Sequence, residues 1–431
     1  MVKRNQIRMI GTVLLLAILC TAFGALGLAA PKELRISAQA WFFGKYQLNE
    51  AAEHFMKTHP DVKVSFEKVD NSDATTYILQ WSQGKTGNDL VIGPLPAQAV
   101  IFAAQNYIIN FDSGFFDKTL KKSDFVPSIL KLGNIGGKQY MIPMMGEVMF
   151  IVVNKKLMKK AGLVDKDGNA LIPKTWNELA EFAKKATITE NGKVVQTGLS
   201  IDWGTNFMAH SYLACLQGLK GSFYESNKKT VDFTSKEAKS LLSVWRKLVK
   251  DGYTPVDTFA DMDAGRTNFK AGKVAMHLTA ASRWVEAGEL LGADTVSVIP
   301  IPGTDKHGSF VYTQGIVIPR TSPEQTLAKQ FIKEELMSRD FQLYAMNKFG
   351  KMSPIAAHYK QALSPQWKMV LDTVNKSVTF PLYKDWNKLE RAMQVEIQKC
   401  LTEKQTVDET LNTLKKTIDS LDQSVGMKAQ N

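Results

Sequence analysis

Residues 136–163 read GGKQYMIPMMGEVMFIVVNKKLMKKAGL, and residues 173–186 read PKTWNELAEFAKKA. The two glycines that open the first stretch predict a tight turn. Its apolar, β-branched run at 148–153 predicts a strand that is buried on both faces. In the second stretch, Thr175 and Glu178 have the spacing of a capping box, and apolar residues follow at helical spacing. A turn, a strand and helices in this order predict an α/β fold.

The chain before this stretch alternates strands and helices. Strands are predicted at 34–40, 62–66 and 89–92, and helices at 48–56, 75–83 and 97–105. This alternation is typical of a mostly parallel sheet with helices on both faces, in which ligands bind beyond the carboxyl ends of the strands. A second α/β unit is predicted from about 144 to 298.

Three later helices are predicted from their cap residues. The predicted caps are Thr234 with Glu237, Ser322 followed by Pro323 as the first helical residue, and Thr406 with Glu409.

The opening stretch resembles the family 1 extracellular solute-binding proteins of ABC importers, the group that includes maltose-binding protein. In that family a Gly-Lys-x-Tyr-x-x-Pro segment crosses between two lobes, and a strand, an Ala-Gly-Leu turn and a Pro-x-Thr-Trp-x-Glu-Leu helix start follow. The matching residues are Gly137, Lys138, Tyr140, Pro143, Val153, Asn154, Lys155, Ala161, Gly162, Leu163, Pro173, Thr175, Trp176, Glu178 and Leu179. Among them, Val153 departs from the family's usual aromatic residue. Residues 269–276, FKAGKVAM, resemble a second signature of the family, Phe-x-x-Gly-Lys-x-Ala-Met.

The resemblance implies a two-lobed, type II-like periplasmic-binding-protein fold of the α/β class, with a ligand cleft between the lobes. The implied division is 1–29 as a signal peptide, 30–142 and 301–348 as lobe 1, and 143–300 and 349–431 as lobe 2. We expect the lobes to close by rotation about crossings near residues 142, 300 and 350.

The N-terminus has the pattern of a secretory signal peptide, because three basic residues precede an uncharged apolar stretch at 9–30. We expect cleavage near 27–29 and export to the periplasm or to the outer face of the cytoplasmic membrane. Lipid anchoring at Cys20 and an uncleaved anchor are alternatives, although Leu19 stands where a lipobox needs a small residue. No tract after residue 30 is long and apolar enough to span a bilayer.

Beyond the signal, the chain carries an excess of nine positive charges. The signal holds three of the 54 Lys and Arg and no acidic residue, so 51 basic residues face 42 acidic ones. Such an excess can attract nucleic acid, anionic lipid or anionic ligands. Because the lysines are scattered and no run interleaves Arg with aromatics, we favour a solvated surface and expect no nucleic-acid partner.

Motifs for catalysis and metal binding are absent from the sequence. The six histidines are dispersed without HExxH spacing, and GxSxG and Walker A motifs are missing. We therefore predict no metal, no cofactor and no enzyme activity. Cys215 and Cys400 lie far apart, and we expect two buried thiols, with a disulfide as the alternative.

Aromatic residues are crowded after the first predicted strand, where Trp41, Phe42, Phe43 and Tyr46 are predicted to lie in a loop. Sugars present C–H patches to aromatic faces and hydroxyls to polar side chains, so a sugar site needs both in one cleft. The resemblance places this loop in the cleft. We therefore predict ligand contacts from Trp41, Phe43 and Tyr46, with coverage of the first helix as the alternative.

Further ligand contacts are predicted in the crossings and after strands of the second lobe. They are Glu147, Asp202, Trp203, Asn206, Arg283, Trp284, Gln314 and Trp386. The alternative for Glu147 is a salt bridge at the hinge, and the alternative for Arg283 is a surface ion pair.

Together these patterns predict a monomeric substrate-binding component of an ABC transporter. It would capture a carbohydrate in the cleft and deliver it to the transmembrane subunits of a permease. The crowded aromatics favour an oligosaccharide. Two alternatives stay open: a binding protein for an anionic or phosphorylated polyol, and a secreted carbohydrate-active enzyme.

Overall fold

The computed structural model describes residues 31–69, 74–85, 87–204, 206–226, 230–362, 364–380 and 382–424. The predicted signal peptide and Cys20 lie outside the described residues. The strands, in chain order, are β1 (Lys32–Gln39), β2 (Val62–Val69), β3 (Leu90–Ile92), β4 (Asn134–Ile135), β5 (Lys138–Gln139), β6 (Ile142–Pro143), β7 (Glu147–Asn154), β8 (Ile188–Glu190), β9 (Lys193–Ile201), β10 (Val274–Ala280), β11 (Val296–Ile299), β12 (Val311–Tyr312) and β13 (Gly315–Val317).

The helices, in chain order, are α1 (Ala40–Lys45), α2 (Leu48–Thr58), α3 (Ala74–Ser82), α4 (Pro96–Ala104), α5 (Pro127–Leu130), α6 (Lys155–Lys160), α7 (Trp176–Ala186), α8 (Phe207–Lys220), α9 (Lys236–Lys250), α10 (Ala264–Lys270), α11 (Arg283–Leu291), α12 (Thr304–His307), α13 (Gln325–Phe331), α14 (Arg339–Phe349), α15 (Gln366–Asn375), α16 (Trp386–Leu401) and α17 (Val407–Ser420). A π-helical turn, Ile332–Leu336, continues α13.

The first lobe is built on a five-stranded sheet in the order β2-β1-β3-β13-β6. β1 pairs in parallel with β2 and β3, as the alternation of strands and helices predicts. β13 pairs antiparallel with β3 and β6, because it enters this sheet from the opposite end after the chain has passed through the second lobe. Leu48, Ala51 and Phe55 of α2 are buried in the core of this lobe, so the predicted apolar face of that helix packs inward.

The second lobe is built on a six-stranded sheet, and β7 lies in its interior. β10 and β11 flank β7 on either side in antiparallel register, and β12 pairs with the first residues of β7. All eight residues of β7 are buried, which confirms the prediction of a strand buried on both faces at 148–153. The apolar faces of α16 and α17 belong to the same buried cluster, so the C-terminal helices complete this lobe.

The two lobes are joined where β6 leads into β7, where β12 leads into β13, and where the chain leaves α14. Gly146 and Met352 form an isolated antiparallel bridge, with N···O distances of 2.8 and 3.2 Å. Gly350 ends α14 at φ +67°, and a Cβ there would lie 2.6 Å from the carbonyl oxygen of Ser282. Only glycine fits both the positive φ and this close approach.

Two predicted helix caps are confirmed. Thr175 Oγ1 accepts from the backbone N–H of Glu178 at the start of α7. Thr406 and Glu409 form a reciprocal capping box at the start of α17, with distances of 3.2 and 2.8 Å.

The cap predicted at Thr234 is wrong by one residue. Ser235 is the N-cap of α9 and accepts from the N–H of Ala238 at 3.2 Å. Thr234 instead donates its hydroxyl to Asp232, which organises the turn before the helix.

The helix predicted to begin at Pro323 starts two residues later, at Gln325. The Ser322 hydroxyl accepts from the N–H of Glu324 and donates to Asp89, a buried carboxylate at the end of the first lobe's sheet. This tertiary contact holds Ser322 in a turn that precedes the helix.

The loop predicted at 41–46 is wrong, because residues Ala40–Lys45 form the short helix α1 directly after β1. Cys215 and Cys400 are both buried and free, so the expectation of two buried thiols is confirmed and the disulfide alternative is wrong. Within the described part of the chain, no helix combines the length and the apolar character needed to cross a bilayer.

Candidate functional site

The cleft between the lobes is bordered by segments that begin or end at strands. Lobe 1 contributes α1 after β1 and the turn at 94–97 after β3. Lobe 2 contributes the first residue of β7, the turn after β9 and the start of α11 after β10. Because β7 runs antiparallel to β10, its beginning lies at the same edge as the end of β10. Polar side chains from distant parts of the chain therefore converge at this edge.

Glu147 and Lys351 form a buried ion pair at the junction of the lobes. Lys351 Nζ donates to Glu147 Oε1, and their side chains are 7% and 1% exposed, respectively. The bridge between the neighbouring residues Gly146 and Met352 brings them together. Burial lowers the pKa of Lys351, and the Glu147 carboxylate opposes that shift. Glu147 Oε2 is buried without a hydrogen-bond partner among the described residues, so it is an acceptor that a ligand hydroxyl could use.

A second carboxylate, that of Glu286, is shared by cations from both lobes. Arg283 of the second lobe and Lys45 of the first lobe donate to its Oε1 at 3.0 and 3.1 Å. Arg266 Nη2 of the second lobe lies 2.6 Å from its Oε2 and forms an ion pair with it. Burial acts to raise the pKa of Glu286, but the surrounding cations outweigh burial and hold the pKa at about 2. This carboxylate is therefore ionised at all physiological pH values and links α11 to α1 across the cleft.

Trp41 is held at the cleft by hydrogen bonds between side chains. Its indole N–H donates to Gln39 Oε1 at 2.6 Å, and Gln314 Nε2 donates to the same oxygen at 3.0 Å. Lys351 Nζ lies 5.5 Å from the centroid of the Trp41 ring. Gln39 thus joins an aromatic side chain of lobe 1 to the segment that crosses between β12 and β13.

A cavity lies between the turn at 94–97 of lobe 1 and the helices of lobe 2. Its volume is about 20 Å³, which is room for about one water molecule. Its lining consists of Leu95, Pro96, Ala97, Asn206, His210, Tyr312, Thr313, Phe380, Trp386, Asn387 and Glu390. A ligand larger than water therefore requires the lobes to separate or the lining side chains to move.

His210 and Glu390 are the acid–base pair of this cavity. His210 Nε2 lies 3.7 Å from Glu390 Oε1, and burial lowers the pKa of His210 to about 3. Burial also raises the pKa of Glu390 to about 7, although a hydrogen bond from the Trp386 side chain acts against this shift. Near neutral pH the imidazole is uncharged and the carboxyl group is close to half-protonated.

The structure brings seven of the predicted site residues to the cleft region. Trp41, Glu147, Arg283 and Gln314 lie around the charged pairs described above, and Asn206 and Trp386 line the cavity. The seventh, Asp202, is 5% exposed and accepts from the hydroxyl of Thr279. Its other oxygen lies 3.3 Å from His277 Nε2 without hydrogen-bond geometry.

Four predicted site residues pack away from the cleft. Trp203 is fully buried between Trp245 and Phe259, with ring centroids 5.6 Å apart in both contacts. Trp284 packs on Trp367, with ring centroids 4.8 Å apart. The other two are next to Trp41 in the sequence.

Phe43 makes an edge contact with Phe66 at 5.1 Å, on the side of lobe 1 formed by β2. Tyr46 is fully buried against Phe341 at 5.6 Å, and its hydroxyl has no hydrogen-bond partner among the described residues. Phe43 points away from Trp41, because successive side chains on a helix point in different directions. The Tyr46 ring, which follows α1, lies behind Trp41, with ring centroids 6.3 Å apart.

Sequence patterns do not identify several residues of the cleft. They are Gln39, Lys45, His210, Glu286, Tyr312, Lys351 and Glu390. Gln39 ends the first strand and Lys351 lies in the third crossing, so their positions were informative. His210 lies in the first turn of α8, which is buried on nearly all sides, and Glu390 lies in the second turn of α16. Nothing in the local pattern distinguishes them from packed or solvated residues. Among the described residues, no three His, Cys, Asp or Glu side chains are grouped as a metal site requires.

Known proteins resemble this chain in sequence and in fold. A sequence model of the family described as bacterial extracellular solute-binding protein matches residues 44–334. The chain is 24% identical over 292 residues to the mannitol-binding protein of Pseudomonas aeruginosa. This match covers 64% of this chain and 63% of that protein. It is 25% identical over 349 residues to the maltodextrin-binding protein MdxE of Bacillus subtilis, and this match covers 76% of this chain and 77% of that protein.

Solved structures share the fold. The GacH receptor of Streptomyces glaucescens, whose structures are unliganded and in complex with acarbose, matches with a TM-score of 0.74 at 20% identity. The match covers 90% of this chain and 99% of that one. The predicted two-lobed α/β fold of the periplasmic-binding-protein type is therefore confirmed.

Proposed function

Because the chain belongs to the family of bacterial extracellular solute-binding proteins, we propose that it is the substrate-binding component of an ABC importer. It captures a carbohydrate in the cleft between its lobes and delivers it to the transmembrane subunits of a permease. The chain acts outside the cytoplasm as a monomer, and it binds its ligand without chemical change.

Side chains from both lobes meet at the cleft, and their combination is the main support for this proposal. Trp41 offers an aromatic face, Gln39 and Gln314 offer amides, and Glu147 and Arg283 offer charged hydrogen-bonding groups. Sugars are recognised by this combination, because their C–H faces pack on aromatic rings and their hydroxyls need both donors and acceptors. Asn206 and Trp386 extend the same chemistry into the cavity.

The names of the relatives support a ligand rich in hydroxyl groups. One relative is named for mannitol and another for maltodextrin, and one solved structure of the fold holds acarbose. Hydroxyl groups are the chemistry that these three compounds share, so we propose a neutral polyol or sugar as the ligand class.

The aromatic residues of α1 support a short ligand more than a long one. The expectation of an oligosaccharide rested on four aromatic side chains beside the cleft. Phe42 and Tyr46 are fully buried in lobe 1, and Phe43 contacts Phe66, so Trp41 is the one of the four that reaches the cleft. We propose that α1 supplies one stacking surface rather than an extended platform.

Ligand entry requires the lobes to move. The cavity has room for about one water molecule, and the Lys45–Glu286 pair joins the lobes across the cleft. We propose that this arrangement is close to the closed state and that opening occurs by rotation about the segments that cross between β6 and β7, between β12 and β13, and after α14.

A thermal-shift series with the purified, processed protein tests the proposed function. D-mannitol, maltose and maltotriose represent neutral ligands, and a hexose phosphate and glycerol phosphate represent anionic ones. A tight ligand raises the unfolding midpoint by mass action, and mass spectrometry shows whether it is recovered intact. A rise with an intact neutral compound supports the proposal. A rise with phosphates alone favours the anionic alternative, and conversion of a bound sugar favours an enzyme.

A further inference from the structure

We propose that Glu390 recognises a ligand hydroxyl in its protonated, uncharged form, so that the His210–Glu390 end of the cavity selects uncharged polyols and binds them more weakly as the pH rises. This inference rests on the proposed function, because it deepens the account of the same cleft. Glu390 is thereby a specificity-determining residue that contacts the ligand.

The position of Glu390 gives it access to the ligand. Its side chain lines the cavity and is 17% exposed. Its carboxyl group is hydrogen-bonded by the Trp386 side chain, one helical turn earlier on α16. His210 Nε2 lies 3.7 Å from Oε1, which is too long for a hydrogen bond. The carboxyl group therefore keeps hydrogen-bonding capacity toward the cavity.

The imidazole beside Glu390 does not supply a positive charge. His210 is 4% exposed and lies against Phe310 and Tyr312, with ring centroids at 4.8 and 4.5 Å. Burial among these rings lowers the pKa of His210 to about 3, so the ring is neutral at physiological pH. A neutral imidazole compensates a carboxylate far less than an imidazolium does.

The other elements that border Glu390 bring no cation to it among the described residues. The lobe 1 side of the cavity consists of Leu95, Pro96 and Ala97, which have no ionisable side chain. On β12 the only titratable group at the cavity is the Tyr312 phenol, whose pKa is raised by burial. Arg283 acts on Tyr312, but its guanidinium is paired with Glu286.

The cations of the neighbouring helices that form ion pairs bind carboxylates other than Glu390. Lys220 of α8 binds Asp232; Arg246 and Lys239 of α9 bind Glu403 and Asp408; Lys415 of α17 binds Asp419 and Glu225; and Lys388 of α16 binds Asp385. Arg391 is exposed on the outer side of α16. Burial without a facing cation raises the pKa of Glu390 to about 7.

A protonated carboxyl group matches the chemistry of a polyol. It donates one hydrogen bond and accepts others, and a sugar hydroxyl has the same pair of capacities. An ionised Glu390 would lose the donor and place a desolvated charge beside the ligand. A phosphate or carboxylate ligand would find no cation at this end of the cavity and would meet like charge once Glu390 ionises. The arrangement therefore favours uncharged ligands and couples their binding to a proton.

The protonation of Glu390 can be tested without a ligand, by measuring Tm from pH 5 to 8.5 for wild type and Glu390→Gln. The pKa of Glu390 is raised in the folded state, so between pH about 4.5 and 7 the unfolded chain releases a proton that the folded chain keeps. Wild type should lose stability relative to Glu390→Gln across that interval, and the difference should level off above pH 7. Glu53→Gln, at an exposed glutamate of α2, is the matched control and should follow wild type. Parallel curves for wild type and Glu390→Gln would overturn the proposal.

Ligand coupling is tested by calorimetric titration at pH 6 and pH 8 with D-mannitol and with maltose. For the sugar that binds, wild type should bind at least fivefold more weakly at pH 8, and Glu390→Gln should bind equally at both pH values. Equal wild-type affinity at both pH values, or tighter binding at pH 8, would overturn the proposal. If neither sugar binds wild type and the thermal-shift series is negative throughout, the proposed function fails; the Tm comparison still decides the protonation of Glu390.

Discussion

Two glutamates on helices of the second lobe face the cleft in opposite electrostatic surroundings. Glu286 on α11 contacts Arg283, Arg266 and Lys45, and its pKa is lowered to about 2. Glu390 on α16 has an indole N–H and a neutral imidazole as its neighbours, and its pKa is raised to about 7. Burial acts in the same direction on both, so the neighbouring cations make the difference.

The comparison shows that one cleft can have a charged end and an uncharged end. At the charged end, the Glu147–Lys351 pair and the Glu286 cluster join residues of both lobes. At the uncharged end, the cavity is lined by rings, amides and one protonatable acid. We infer that the first end stabilises the closed arrangement and that the second end contributes to ligand selection.

The largest effect is expected from Lys351→Met, which removes a cation at the charged end of the cleft. Glu147 would remain as a buried carboxylate without its partner, and such a loss costs about 3 to 5 kcal/mol of unfolding free energy. Urea unfolding followed by tryptophan fluorescence measures it. The double variant Lys351→Met/Glu147→Gln removes both charges and should regain most of the loss. Wild-type stability of the single variant would mean that Glu147 does not depend on this cation.

A change at the uncharged end should alter the pH dependence. His210 has a pKa of about 3 in the folded protein and about 6.5 when unfolded, so its unfolded form takes up protons first as the pH falls. Stability linked to His210 is therefore complete above pH 6.5 and is lost progressively toward pH 3. His210→Phe should remove about 2.5 kcal/mol of the wild-type loss at pH 4.5. The measurement is urea unfolding at pH 7 and pH 4.5.

The control for this prediction is His54→Gln, at an exposed imidazole of α2, which should keep the acid sensitivity of wild type. An equal loss of stability in wild type and His210→Phe between pH 7 and pH 4.5 would contradict the assignment of His210 as a buried neutral base.

Ligand affinity should distinguish Trp41 from Phe43, two aromatic residues of α1. Trp41→Ala should weaken the affinity for the identified sugar by about 1 kcal/mol, or roughly fivefold, because a stacking face is lost. Phe43→Ala should leave the affinity unchanged, because Phe43 contacts Phe66 rather than the cleft. Titration calorimetry on both variants decides between them. Weaker binding by Phe43→Ala with Trp41→Ala unaffected would reverse the assignment.

The smallest effect is expected from Lys45→Met, at the cation that lobe 1 supplies to Glu286. Lys45 is 26% exposed, and Arg283 and Arg266 still compensate the carboxylate after its removal. The cost in unfolding free energy should be below about 1 kcal/mol and should shrink at high salt. Urea unfolding at low and high ionic strength measures both effects. A cost equal to that of Lys351→Met would show that Lys45 is the principal partner of Glu286.

Local signals predicted much of the fold correctly. The buried strand at 148–153 and the caps at Thr175 and Thr406 depend on residues within a few positions of one another, and the structure confirms them. The cap at Thr234 was misplaced by one residue, because adjacent Thr and Ser are both suitable and the side chain of Asp232 decides between them. Ser322 was misread because its hydroxyl binds Asp89, 233 residues away in the sequence.

The site was less predictable than the fold. The crowded aromatics predict ligand contacts at 41–46. In the structure, Phe42 and Tyr46 are buried in the core, and Trp41 lies at the cleft. Lys351 and Glu147 are 204 residues apart, and Gln39 and Gln314 are 275 apart. Spacing along the chain contains no information about such pairs, because they form only after both lobes have folded.

The α/β class, the family and the region of the cleft follow from the sequence alone. Those properties follow from apolar periodicity, cap residues and compound motifs, which act over short distances along the chain. Which aromatic side chains reach the cleft, and which glutamate is charged, depends on the tertiary structure. The pKa of Glu286 and of Glu390 depends on burial and on cations brought from other elements, and these are set by packing rather than by local sequence.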